Sequence, residues 1–494
     1  MKDIHFFAFI KKREQRQELY TLGGILLFMG IALQWAYPYP FNFSDSGAYL
    51  LGAAINYFNI YRPQGYSHYL RFLHSINGHI TFVFWATYVL TAISTLLLLF
   101  SAKYLLNLQK WVFRTICLLS IASPCMLFSC NFLMSDGLFN LLTMLWLTTG
   151  MWLIKSPKRW LLVAHIACFM CLYQVRYSGM FYLPISMLIL ALASKMWQNR
   201  KIRIAVVCLP LACFAVLYGY NKSQYHKHTG VNVTSGFSGW QLLNNAAVLF
   251  PEAKSIPAST FKGHNTRALN SFIQHVPDSM FHQEHSMKTG YMWKKELPMK
   301  QFLAYYITET KHNYEPSWAY VGSLYGEYAK ELIKQEPWRY FKKFIIPSFL
   351  STFKFHEITE EQYPFRLDKH AGPYYKLDSQ EHIHKHRFFK RLNPARKVFN
   401  AVYWILLLAA MAYYFSTKFR KRHFGEITWQ VHFLTIAFII VYIGVSALAA
   451  PNTTWRYSIP FFVPSLIFIG YLMPILQTHR FGKQCYSGSI GALP

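Results

Sequence analysis

Between Glu18 and Glu252 the chain carries only two acidic residues, Asp45 and Asp136, and the rest of that stretch is a succession of long apolar runs. Several exceed the roughly 18 apolar residues needed to cross a bilayer. The whole chain agrees with this: of its 494 residues 53% are hydrophobic, 18% aromatic and 14% charged, where a soluble domain carries roughly 25% charged residues. The reading is an all-α polytopic membrane protein. Residues 1–18 are polar and basic, and the apolar run at 20–36 has no small-residue cleavage site, so it reads as an uncleaved anchor.

About ten transmembrane helices are expected, near 20–37, 81–102, 112–130, 133–154, 160–175, 178–195, 203–220, 398–416, 429–449 and 457–477. Basic clusters set their orientation. Lys11, Lys12, Arg13 and Arg16, then Lys103 and Lys110, then Lys155, Lys158 and Arg159, then Lys195, Arg200, Lys201 and Arg203 all fall on one side if the N-terminus is cytoplasmic. Lys418, Arg420, Lys421 and Arg422 join them, and the C-terminus is cytoplasmic too, if residues 221–397 lie wholly outside. Residues 344–353 (FIIPSFLSTF) are apolar but too few to cross, contain Pro347 and are flanked by lysines; they read as re-entrant or interfacial.

Three parts follow. Residues 1–220 form an N-terminal transmembrane module with a first outer loop at 38–80. Residues 221–397 form a mostly helical exoplasmic domain with 25 Lys or Arg against 15 Asp or Glu, a net +10. Residues 398–494 form a C-terminal transmembrane module. In the first outer loop, a polar opening (YPYPFNFSDSG) precedes two amphipathic stretches, 48–58 and 67–76, separated by RPQGY. Such helices lie in the membrane interface.

The formal net charge of +29 reads as an orientation signal and as attraction to anionic lipid. No nucleic-acid motif accompanies it. Of the eight cysteines, seven lie in apolar segments and none in the hydrophilic stretch, so no disulfide framework is expected. Cys168 and Cys171 have C-x-x-C spacing but sit in mid-membrane, where small buried residues are the plainer reading. His382, His384 and His386 alternate in a basic loop, with His226 and His228 elsewhere; the spacing does not support a metal site. Asn42, Asn221, Asn232 and Asn452 begin N-x-S/T triplets, which are frequent by chance.

Both isolated acids fall at the outer face. Asp45, in FSDSGAYL, opens an amphipathic helix, and Asp136, in NFLMSDGLFNLL, opens the fourth span. Either would serve as a helix N-cap. Either would also serve as a catalytic carboxylate, since an ionisable group kept beside a bilayer usually has a task or a partner. Arg62, Arg176 (YQVRYSGM) and Arg456 (NTTWRYSIP) share that face. They suit a substrate phosphate, or an ion pair with one of the two acids.

These pieces together resemble the C-type glycosyltransferases, which include the protein O-mannosyltransferases and the aminoarabinose transferases. The resemblance rests on an acid in the first outer loop, R-P-x-G-Y at 62–66, S-D-G-L-F opening a span, R-Y-S-G-M-F-Y-L-P at 176–184, F-S-G-W-Q-L-L-N-N at 237–245 and W-R-Y-S-I-P at 455–460. It covers the helical core and the start of the outer domain. It implies transfer of a sugar, with inversion, from a polyprenyl-phosphate-linked donor to a glycan, lipid or protein acceptor. Membrane lipids would be the other partner, with no nucleic acid and no cofactor. By position, Asp45 becomes the base and Asp136 the second catalytic acid. Arg176, Arg456 and Arg62 would bind the donor phosphate, and Tyr49, Tyr66, Tyr177 and Tyr457 would line the substrate pocket. Several relatives have an Asp-Glu pair in the first loop, and here Ser46 follows Asp45, which weakens the case for a two-carboxylate centre and for a bound divalent metal in that loop. A bacterial inner membrane with the site facing the periplasm is the implied setting. A glycan polymerase or ligase, or a lipid or solute transporter, would place similar demands on the arginines.

Overall fold

The computed structural model describes residues 6–43, 45–123, 128–194, 197, 199–281, 291–355, 370–376, 388–416, 426–449 and 455–486. The described residues form helices without strands, and their one extended pairing is a parallel bridge between Phe41 and Phe132. In chain order the first helices are α1 (Arg13–Ala36), α2 (Ser46–Ile55), α3 (Gly65–Ile76), α4 (Ile80–Leu106) and α5 (Lys110–Ala122). Next come α6 (Ser135–Lys155), α7 (Arg159–Val175), α8 (Tyr182–Ala193) and α9 (Arg200–Thr229). The hydrophilic stretch supplies α10 (Phe237–Ala246), α11 (His264–Gln274), α12 (Pro298–Thr310) and α13 (Tyr314–Gln335). The last three are α14 (Phe388–Phe415), α15 (Glu426–Ala449) and α16 (Ile459–Tyr486).

This is an all-α, polytopic, integral membrane architecture. Among the described residues six helices are long and apolar enough to cross a bilayer: α1, α4, α6, α9, α14 and α15. Helix α7, the run Tyr177–Ala193 and the apolar part of α16 are shorter. The expected third span, 112–130, is cut back, because α5 ends at Ala122 and Ser123 is extended. Pro124 follows, and a residue before proline is pushed out of the helical region. The two helices expected in the first outer loop are present as α2 and α3. Residues 344–353 form the end of a π turn (Phe341–Ile345) and a six-residue helix (Ile346–Ser351) packed against α15, which is too short to cross.

The bundle has a clear centre. Within the span windows, 78% of α6 and 61% of α15 is buried, against 22% of α1 and 11% of α9. Helix α6 packs against α4, α7, α8, α15 and α16, so whatever stands at its start stands at the middle of one face. The outer helices turn Leu27, Phe28, Ile31 and Val216 outward, as a lipid-facing surface does. The hydrophilic region has its own core. Its α10 and α13 approach so closely that a Cβ on Gly239 would lie 1.7 Å from the Gly322 carbonyl oxygen. Trp240 and Trp318 stack beside this crossing at 5.5 Å, both fully buried.

At the end of the bundle where α1 begins and α4 finishes, Glu18 and Lys103 form an ion pair with side chains only 7% exposed. Lys103 also donates to Gln15 Oε1 at 2.7 Å, Arg114 Nε donates to Glu18 Oε1 at 3.2 Å, and the Lys103 ammonium stands 4.2 Å from the Phe113 ring centroid. These contacts tie α1, α4 and α5 together at one end. Removing one member of a buried pair leaves the other uncompensated, at a cost of about 3–5 kcal/mol. We therefore expect Glu18→Gln to lower the thermal unfolding midpoint in detergent markedly. The double variant Glu18→Gln/Lys103→Met should recover much of the loss, and an additive double variant would show that the pair does not hold the helices.

Candidate active site

Two loops distant in sequence are stitched together at the other end of the bundle. Phe41 N donates to Asn131 O at 2.7 Å and Leu133 N donates to Phe41 O at 3.0 Å. Just beyond, the Ser46 hydroxyl accepts from Phe43 N at 2.9 Å and donates to Leu133 O at 2.8 Å. The Tyr49 hydroxyl reaches Ser135 Oγ at 3.5 Å. This stitching brings the start of α2, with Asp45, beside the start of α6, with Asp136. The third loop is seated by Gly65, where a Cβ would lie 2.4 Å from the Gln174 carbonyl oxygen. Only a residue without a side chain lets RPQGY lie against the end of α7, next to Arg176.

Neither carboxylate caps its helix. Asp45 occupies the N-cap position of α2, but its side chain makes no capping bond, and α6 is likewise uncapped at Met134. Both acids are given to arginines. Asp136, its side chain 2% exposed, accepts from Arg176 Nη1 on Oδ1 and from Arg456 Nη2 on Oδ2, each at 2.5 Å. Asp45, 28% exposed, accepts from Arg62 Nη2 on Oδ2 at 2.9 Å. Charge-assisted bonds of this kind are the strong ones in a low-dielectric setting.

The two pairs belong to one site. Arg62 lies within electrostatic range of Asp45, Tyr49, Arg176 and Tyr457, and Arg176 within range of Asp136, Tyr442, Tyr457 and Tyr49. Burial alone would lower the Arg62 pKa, but Asp45, helped by Tyr49 and Tyr457, carries it above the ordinary value. Three arginines and two carboxylates leave the cluster with one net positive charge. Among the described residues, Arg456 Nε is buried and finds no hydrogen-bond partner, so the cluster keeps a donor in hand. Among the described residues, Asp45 Oδ1 accepts no bond.

The tyrosines divide. Tyr49 and Tyr66 are both 2% exposed and meet edge to face at 4.9 Å, so they form the floor. Tyr177 is half-buried and donates to Thr234 O at 3.1 Å, tying the site to the outer domain. Tyr457 is also half-buried, beside Arg62 and Arg176. Sequence reasoning missed two members. Tyr442 lies within range of Asp136, Arg176 and Arg456, but it sits in an apolar span with nothing to flag it. Phe237 lies under the Arg62 guanidinium at 4.2 Å.

His382, His384, His386 and Asn452 lie outside the described residues, as do Lys418, Arg420, Lys421 and Arg422. Among the described residues no three His, Cys, Asp or Glu side chains gather at a point. Cys168 and Cys171 are free thiols.

No family model matches the chain, and no curated protein matches it. Among solved structures the chain is similar to ArnT from Cupriavidus metallidurans bound to undecaprenyl phosphate, at 12% identity and a TM-score of 0.34, covering 97% of this chain and 82% of that one. It is similar to the same protein in the apo state at 13% identity and a TM-score of 0.31, covering 92% and 77%. ArnT is an aminoarabinose transferase, one of the C-type glycosyltransferases.

Asp136 and Arg456 share a buried bond, so their substitutions should not add. In a double-mutant cycle of Asp136→Asn and Arg456→Gln, with stability measured in detergent, we expect an interaction energy of about 1–3 kcal/mol. Strict additivity would mean that the two side chains do not meet.

Proposed function

We propose that the chain is a membrane glycosyltransferase. In this reading it moves a sugar from a polyprenyl-phosphate donor to an acceptor at the outer face of a bacterial inner membrane, with both termini in the cytoplasm. The observation that carries the proposal is the convergence of Arg176 and Arg456 on Asp136, beside the Asp45–Arg62 pair. A cluster with one positive charge in excess, at the outer end of membrane helices, matches a lipid phosphodiester with one negative charge.

The geometry supports the following roles. Both oxygens of Asp136 are occupied, so it is the positioning residue that aims two guanidinium groups. Asp45, more exposed and bonded on one oxygen, is the base. The acceptor hydroxyl gives its proton to Asp45 as its oxygen bonds the anomeric carbon. On the opposite side the bond from that carbon to the phosphate oxygen breaks. The configuration inverts, and the polyprenyl phosphate departs with the electron pair. Its phosphate gains one negative charge in that step, so cations held beside it act most strongly as the bond breaks. Arginine is suited to this work, because it stays charged at any depth and meets phosphate with two donors. Removal of the acceptor proton requires only one carboxylate within hydrogen-bond reach.

Two variants test the assignment. Asp45→Asn should reduce kcat by about 10²–10⁴-fold, the range of general-base catalysis, and leave donor affinity unchanged. Arg456→Ala should raise the apparent KM for the lipid-phosphate sugar by about tenfold or more, the loss of a charge-assisted contact. Normal turnover in the Asp45 variant would falsify the base assignment. Normal donor dependence in the Arg456 variant would remove the phosphate role.

A further inference from the structure

An aromatic and charged surface leads outward from the proposed catalytic pair onto the outer domain. It begins where the Arg62 guanidinium covers the Phe237 ring at 4.2 Å. Phe237 lies near-parallel to Trp293 at 6.2 Å, and Tyr61 stands edge-on to Trp293 at 5.8 Å. The Lys300 ammonium is then held among three rings, 5.0 Å from the centroid of Trp240, 5.2 Å from Trp293 and 5.5 Å from Tyr314. It also donates to the Tyr314 hydroxyl at 3.0 Å. Beyond it the Tyr57 hydroxyl donates to Glu315. Burial, and then the Glu315 carboxylate, holds the Tyr57 phenol above its ordinary value, so it remains a donor.

The surface is rigid below and open above. Its base is the buried stack of Trp240 and Trp318, while Trp293 and Tyr314 are 41% and 44% exposed. A fold does not need to leave two large rings in water, nor to fix a lysine among three rings. Flat, rigid rings flanked by hydrogen-bonding groups at their edges suit a sugar ring, whose faces are apolar and whose rim is polar. The cation at its centre, in a region of net charge +10, favours a sugar that carries acid.

We propose that this surface binds the acceptor, a saccharide bearing a carboxylate or phosphate. The acidic group sits against Lys300 and a sugar face stacks on Trp293, which directs a hydroxyl toward Asp45. The assignment as acceptor site rests on the glycosyltransferase reading; the saccharide binding does not. The rival use of exposed Trp, Tyr and Lys is a belt at the lipid headgroups. Continuity with Arg62 and Asp45 favours the saccharide.

The test is saturation-transfer NMR and calorimetry on the full chain in lipid nanodiscs. The probes are trigalacturonate and glucose 1-phosphate, with methyl-esterified trigalacturonate and glucose as the neutral counterparts. Each acid should bind at least about tenfold more tightly than its counterpart, with competition between the two acids. Lys300→Ala should abolish that preference. Trp293→Ala should weaken acid and neutral sugars alike by about tenfold, Trp293→Phe should restore most of the loss, and Trp338→Ala should change nothing. Equal binding of acid and neutral sugars, no saturable binding, or variants that alter only partition to phosphatidylglycerol vesicles would overturn the proposal. Acid-selective binding by a protein that shows no transfer from a lipid-phosphate donor would overturn the enzyme reading and leave the saccharide site standing. Transfer that proceeds with normal acceptor KM in Lys300→Ala would do the reverse.

Discussion

The arrangement at the end of the bundle where α6 begins depends on one carboxylate. Asp136 opens the most buried helix and accepts from arginines 40 and 320 residues away in the chain. A lone carboxylate that is 2% exposed would not stay ionised in such surroundings, since desolvation penalises the charged form heavily. Two guanidinium groups, one on each oxygen, remove the penalty and fix the geometry. The helix start contributes as well, because the N-terminal end of the dipole favours negative charge. The last module of the chain is thereby tied to the first through a bond that needs both partners charged.

The opposite end of the bundle uses the same chemistry for a different purpose. Glu18, Lys103 and Arg114 are mutually satisfied, with a buried glutamine and a phenyl ring completing the set. Arg114 is 57% exposed, and a second carboxylate, Glu14, lies within electrostatic range of both Lys103 and Arg114. Between the two clusters α4 and α6 present Leu98, Leu99, Met144, Trp146 and Leu147, all buried. Thr91, Ser94, Thr95, Thr143 and Thr148 are buried along the same two helices, and among the described residues the ion pairs of the bundle stand at its two ends.

What could be read in the sequence follows from which signals are local. Spans were legible because hydropathy is a property of each segment, and Asp45 and Asp136 stood out because acids are so scarce around them. The shared face of the arginines was legible from the charge rule. The pairing was not: nothing near Asp136 announces Arg456, since contact at a separation of 320 residues is decided by packing. The cap reading failed for the same reason. A position before a helix predicts a bond to the backbone, and the competing arginine arrives from another part of the chain. In the outer domain, helical patterns were visible, but the crossing at Gly239 and Gly322 and the burial of Trp240 and Trp318 depend on which helices meet.

In the proposed transfer the two acids take opposite duties through their surroundings. Each oxygen of Asp136 accepts from a guanidinium group, and moving it would release both arginines. Asp45 gives one oxygen to Arg62, is 28% exposed and faces the outer domain through the ring under that arginine. In the proposed transfer, a base has to meet an acceptor arriving from water, while the groups that stabilise a departing lipid phosphate have to remain at the membrane. Placing Asp45 on the loop and Asp136 on the central helix separates those needs by depth. Arg62 joins them, because it bonds Asp45, covers the Phe237 ring and lies within range of Arg176.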